Sequence, residues 1–374
     1  MRKNKSGAGR AAPCYPFRIV RAHILIAVCL AGALAGFAQD TSAPQPGQMK
    51  DPRAILAAAA PYYDFNDPAL KPWHLKATYQ LYDDKGNLGE QGTFEYWWAS
   101  PKVYRSTWMR PSASHTDWQT AGGTEAYVET GERLRYFEEN LLSDLFSPLP
   151  AAAAIDPAKT RLLRNKIKLL GESLVCVSEK PLKGEEPSDF RVLPTKCFDA
   201  TLPVVRFSLD YQGTVATTYD NISSFHGKFL TRSVQITVGK QKLFSASVDS
   251  IGVLDPSDPA LIPPQDAAFK PDAVQSKGRV EIGSLMKSQP LDYPAFATEQ
   301  GVQGTVLVDV VIGTDGKIKD PRVMFSPSPL LSTSTLEALS HWEYKPYLLD
   351  GKPIEVDIIV AMTFSLGSKM ELLY

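Results

Sequence analysis

From His74 to Ser250 the chain repeats one local pattern: a short run of alternating apolar and polar side chains, closed by a cluster of Gly, Pro, Asp or Asn. His74 to Tyr82 alternates, Asp83-Asp84-Lys85-Gly86-Asn87 supplies a turn, and Gly92 to Trp98 returns as the second arm of a hairpin. Lys102 to Met109, Glu125 to Thr130, Arg133 to Tyr136, Thr214 to Tyr219, Phe229 to Val238 and Leu243 to Ser250 read the same way. A period of two buries one face of a strand, and short runs joined by tight turns pair as antiparallel neighbours. This predicts one extended antiparallel sheet. Leu141 to Leu145, and Ala158 to Leu170 with Leu162, Leu163, Ile167 and Leu170, follow a helical period instead, and Pro52 to Ala60 is Ala-rich. The expected class is therefore α+β.

The alternation stops at Leu254. From there to Val280 the chain carries Pro256, Pro259, Pro263, Pro264 and Pro271 and no apolar stripe, the composition of a linker. At ~3.3–3.6 Å per residue such a segment reaches roughly 90 Å, so the domains on either side need not touch. The expected organisation is a leader or anchor at 1–38, a flexible segment at 39–50, an antiparallel domain at 51–252, a linker at 253–284, a second domain at 285–368 and a tail at 369–374.

Charge separates the leader from the rest. The whole chain holds 40 basic and 41 acidic residues, but residues 1–38 contain six basic residues and no acidic one, which leaves 34 against 41 beyond them. An acidic body gives no reason to expect nucleic acid. The basic flank ending at Arg21, the apolar run from His23 to Ala38 and the small Gly36 and Ala38 have the layout of a signal peptide cut before Gln39. An uncleaved inner-membrane anchor is the other reading, and either one places the protein in the cell envelope. Removing the leader takes Cys14 and Cys29 with it and keeps an even pair, Cys176 and Cys197, around a polar loop between two strands; a disulfide between them suits an oxidising compartment.

The densest signal lies at 289–366. Tyr293-Pro294 opens a helix over Ala295 to Gln300, which Gly301 ends. Gln303 to Ile312 alternates as a strand, Gly313-Thr314-Asp315-Gly316 is a tight turn, and Arg322 to Phe325 is the hairpin partner. Leu330 to His341 suits a helix with Ser332 as N-cap. Trp342-Glu343-Tyr344-Lys345-Pro346 follows, and Ile354 to Leu366 is a long last strand. This order resembles the TonB C-terminal domain, with its Y-P, helix, G-x-V, D-G, helix, W-x-[YF]-x-P and final strand.

The resemblance implies a two-helix, three-stranded antiparallel module whose last strand is an open edge. That edge accepts the TonB box of an outer-membrane receptor by β-strand addition. On this sequence the partner-binding positions are Glu355, Asp357, Ile359 and Ala361, together with Gln289 and Pro290. Tyr293, Trp342, Tyr344 and Pro346 read as packing and turn residues. Glu343 stands where the family carries Arg or Lys. With five basic and ten acidic residues, 289–366 favours a basic partner segment. Full energy transducers in transmembrane transport are anchored and work with an ExbB/ExbD motor, which a cleaved leader would exclude here.

Residues 76–108, with the hairpin, Trp97-Trp98, Ser100-Pro101 and Tyr104-Arg105, are similar more loosely to LolA/LolB-like lipoprotein carriers. That likeness implies a half-barrel sheet closed by helices around an apolar cavity for lipid, with Phe94, Trp97, Trp98, Tyr104 and Trp108 as lining. The expected function is a periplasmic TonB-family binding protein; the alternatives are a lipid or lipoprotein carrier with a TonB-like docking module, and a homodimer formed through the same edge. No G-x-S-x-G elbow, P-loop, H-E-x-x-H or dinucleotide fingerprint occurs, the five histidines are scattered, and Asp83-Asp84 and Glu138-Glu139 read as solvated charge. Neither enzymatic activity nor a cofactor nor a metal is expected.

Overall fold

The computed structural model describes residues 44–149, 160–169, 171–181, 195–269, 280–281, 284–349 and 351–366. The leader, its cleavage site and the C-terminal tail lie outside the described residues. Asp51 caps α1 (Pro52–Ala59) by accepting from the Arg53 amide at 2.9 Å. The alternating runs then become β1 (Trp73–Tyr82), β2 (Leu88–Ser100), β3 (Val103–Arg110), β4 (Ala113–Gln119) and β5 (Glu125–Gly131). Two short helices follow, α2 (Tyr136–Glu139) and α3 (Leu141–Phe146). The sheet resumes through β6 (Thr160–Leu169), β7 (Glu172–Pro181), β8 (Thr195–Asp199), β9 (Val205–Asp210) and β10 (Val215–Asp220). After the small hairpin β11 (Ser223–Phe225) and β12 (Lys228–Leu230) come β13 (Ser233–Val238), β14 (Gln241–Val253) and β15 (Ala268–Phe269).

Thirteen of these strands form one antiparallel sheet, in the order β15-β5-β4-β3-β2-β1-β14-β13-β10-β9-β8-β7-β6. It does not close on itself. Alternation along β2 turns Phe94, Tyr96 and Trp98 to one face, on which Trp73, Phe65 and Phe146 of α3 pack ring against ring.

Residues 160–169, expected to be helical, are a strand. Gly171, at φ +88°, turns the chain so that β6 pairs with β7 along its whole length, and that ladder outweighs a helical stripe with no surface to cover. Cys176 and Cys197 sit opposite each other on β7 and β8 and form a disulfide. The bond closes 21 residues of sequence and contributes about 3 kcal/mol.

Residues 133–136, expected to extend the meander, instead lead from β5 into α2. Glu138 is not solvated charge: its side chain is fully buried against Arg110, and it accepts from the Arg135 amide at the start of α2.

Part of the expected linker packs on this first domain. Leu254 and Leu261 are buried against Trp97, the Trp118 indole donates to the Ala260 carbonyl at 2.9 Å, and β15 adds to the edge at β5.

Beyond it come β16 (Val280–Glu281), β17 (Leu285–Lys287), α4 (Ala295–Glu299), β18 (Gly304–Ile312), β19 (Ile318–Phe325) and α5 (Pro329–Leu339). Ser328, not Ser332, caps α5, because Pro329 supplies its first turn. β20 (Glu343–Tyr344), β21 (Tyr347–Leu349), β22 (Lys352–Ile354) and β23 (Val356–Phe364) complete the chain. The main sheet here has the order β19-β18-β23. One face, Val306, Val308, Val310, Val360, Met362 and Phe364, packs on α4, α5, Trp342 and Tyr344. Among the described residues no helix is long and apolar enough to cross a membrane.

Candidate functional site

Among the described residues β23 has one neighbour in its sheet, β18, so its other side is an edge nine residues long that no described strand pairs with. The candidate partner residues fall around it. Glu355 precedes the strand, is exposed and accepts from Lys319 Nζ at 2.7 Å. Ala361 is half-buried. Gln289 and Pro290 are exposed, and the Gln289 carbonyl accepts from the Trp342 indole at 3.2 Å. Tyr293 packs its ring against Phe364 and donates its hydroxyl to the Val302 carbonyl at 2.6 Å, while Trp342 and Tyr344 are core.

Asp357 and Ile359 are not free. Odd-numbered residues of β23 share the sheet face that points away from α4 and α5. That face also carries Leu307 and Asp309 of β18, with Asp309 directly opposite Ile359. Leu307, Asp309 and Ile359 are at most 1% exposed. The first domain lies over them through the segment after β5. Arg133 Nη2 donates to Asp309 Oδ1 at 3.2 Å, its Nε to Asp320 Oδ2 at 3.2 Å and its Nη1 to Asp357 Oδ2. The Tyr136 amide meets Asp309 Oδ2 at 3.4 Å, and Arg322 Nη1 donates to the Arg133 carbonyl at 2.9 Å. α2 itself packs beside β23. The two domains, which the linker would allow to stand apart, therefore meet at the strand proposed to bind a partner. A cavity of about 590 Å³ opens at this junction, with Asp83, Glu132, Arg135, Phe137, Asp309 and Arg322 in its wall.

The electrostatics of the contact follow from burial. Asp309 and Asp357 are diagonal neighbours on adjacent strands, and removing two carboxylates from water makes double ionisation expensive. Burial, then the adjoining Asp309, push Asp357 up to about 9, with Arg133 opposing. Asp357 Oδ1 is buried with no hydrogen-bond partner among the described residues. Burial pulls the Arg133 guanidinium down, and Asp309, Asp357 and Asp320 together raise it by more, so it is held charged.

The first domain holds a second cavity, of about 470 Å³, between the sheet and α3, walled by Tyr63, Phe65, Trp73, Tyr96, Trp98 and Phe146. Of the five aromatic residues expected at such a cavity, Trp98 is at this wall. Trp97, its neighbour in the strand, points to the opposite face and lies between His74 and Arg105. Phe94 is buried against Trp108, whose indole donates to the Glu138 carbonyl at 2.8 Å, and Tyr104 packs near Tyr96. On α3, burial pushes the Asp144 carboxyl up to about 7, beside Tyr219.

The C-terminal unit is thus a small α+β module with an open strand edge. Residues 289–366 match the family described as Gram-negative bacterial TonB protein C-terminal. Protein TonB of Vibrio cholerae is 33% identical over 75 residues, 20% of this chain and 31% of that protein. Protein TonB of Pseudomonas aeruginosa is 30% identical over 94 residues, 23% of this chain and 28% of that protein. The chain spans about a third of the length of these curated relatives. A LolA superfamily protein of Nitrosomonas europaea is similar over 55% of this chain and 95% of its own, at 8% identity and a TM-score of 0.34.

Proposed function

We propose that the chain is a non-enzymatic envelope protein whose C-terminal domain takes up an extended segment of an outer-membrane receptor as a fourth strand beside β23. The observation that carries this reading is the single-sided pairing of β23, whose outward N–H and C=O groups are a template for another chain. With a cleaved leader it is a periplasmic binder; with an anchored one it is an energy transducer beside an ExbB/ExbD-like motor. Adding synthetic N-terminal segments of the cell's outer-membrane receptors to the full chain should slow hydrogen exchange at the outward amides of β23 by about tenfold or more. Protection confined to other strands, or none at any peptide concentration, rules the edge out.

The aromatic cavity beneath α3 supports a second reading, in which residues 51–252 carry a lipid or acyl chain and the C-terminal domain docks the carrier. A fluorescent fatty acyl probe should then bind the purified chain and quench its tryptophans, and Trp98→Ala should weaken that binding severalfold. A chain that neither co-purifies with lipid nor takes up the probe is not a carrier.

A further inference from the structure

We infer that Arg133 is a built-in occupant of a guanidinium site on the C-terminal sheet, and that the first domain and a partner strand bearing an arginine compete for it. The inference rests on the strand-addition reading and adds a partner chemistry and a control to it. It starts from a carboxylate in an unusual place. Asp309 lies mid-strand in β18 with its side chain 1% exposed, where a carboxylate without a partner is strongly disfavoured. The face is therefore built around a cation, and Arg133 reaches in from another domain to supply it.

The same guanidinium engages Asp357 on the edge strand and Asp320 on the far strand, β19, so one side chain spans all three strands. Its backbone is held from both sides: Arg110 Nη2 and Arg322 Nη1 both donate to the Arg133 carbonyl, one from each domain. With this arm in place, Asp357 is engaged, Ile359 is buried and α2 stands beside β23. An incoming strand would add next to β23 and set alternate side chains about 5 Å from Asp357. An arginine there reaches the carboxylates that Arg133 now holds, and both cannot fit. Charge matches this partner: the domain carries five basic and ten acidic residues over 289–366.

The groups around the pair are Arg133, Tyr136 and Glu139 from the first domain and Asp320 and Arg322 from β19, with Tyr211 close to Asp309. Because the closed arrangement holds a proton on a carboxyl raised from 3.8 to about 9, closure weakens as pH climbs between those values.

The test uses the full chain and two receptor-derived peptides that differ only by Arg or Gln at the position facing Asp357. Arg133→Ala should speed hydrogen exchange across 356–364 with no peptide present, and should tighten binding of the Arg peptide by about tenfold. Asp357→Asn should remove the preference for the Arg peptide over the Gln peptide. If Arg133→Ala does not fold, Arg322→Ala, which frees the Arg133 carbonyl from the C-terminal side, should give the same opening. Faster exchange without binding of either peptide keeps the arm and removes strand addition. A folded Arg133→Ala chain with unchanged exchange and unchanged affinity overturns the inference.

Discussion

Arg110→Ala lowers the stability of the chain by about 3–5 kcal/mol, seen as a drop in the urea midpoint at constant slope. The Arg110 side chain is fully buried at the end of β3, where Nε donates to Glu138 Oε1 at 3.1 Å and Nη1 to Glu90 Oε2 at 2.6 Å. Nη1 also reaches Glu132 Oε2 at 3.2 Å, and Nη2 reaches the Arg133 carbonyl at 3.2 Å. Truncation leaves the Glu138 carboxyl group fully buried and without its partner, at a site where water cannot replace the lost hydrogen bonds. Because Arg110 organises residues 132–138, the same variant should also release Arg133 from the C-terminal sheet. Exchange across 356–364 should then quicken along with the loss of stability. Arg110→Lys keeps the charge but not the planar fork and should recover part of the loss. An unchanged midpoint for Arg110→Ala would mean that the four contacts do not act as one buried group.

How far the sequence alone carried depended on whether a signal was local. The hairpin at Asp83 to Asn87, the final strand and the turn at Gly313 to Gly316 are written in adjacent residues, so period and turn chemistry read them directly. The pairing of Cys176 with Cys197 is legible from the cysteine count, because they are the two cysteines beyond residue 38. Residues 160–169 were misjudged because a strand paired along its whole length needs no clean alternation of its own. Glu138 reads as solvated charge in sequence because its partner, Arg110 on β3, is 28 residues away. Arg133 gave no signal at all. Its partners Asp309 and Asp357 lie 176 and 224 residues downstream, across a proline-rich segment that taken alone argues for independence. An acid at the centre of an otherwise apolar strand, Val308-Asp309-Val310, was the one clue to a buried cation, and it could not say which one.

Gly316→Ala should destabilise the C-terminal domain by about 2–3 kcal/mol and weaken any binding at β23 in step. The D-G turn and the W-E-Y-K-P segment, separate in sequence, touch at this residue. Gly316 has φ +78°, where a residue with a Cβ pays about 1–2 kcal/mol. That Cβ would also overlap the Tyr344 carbonyl oxygen. The Tyr344 amide donates to the Gly316 carbonyl at 2.8 Å, and its loss adds about 1 kcal/mol. The contact fixes the β18–β19 turn against β20 and holds Trp342 and Tyr344 in the core that supports β18 and β23. Two variants separate the causes. Asn tolerates a left-handed backbone better than Ala, yet carries the same Cβ, so Gly316→Asn should be nearly as damaging if overlap with Tyr344 dominates. Hydrogen exchange across 304–364 against denaturant reads both, and a Gly316→Ala chain within about 0.5 kcal/mol of the parent would show that the two motifs are not mechanically joined.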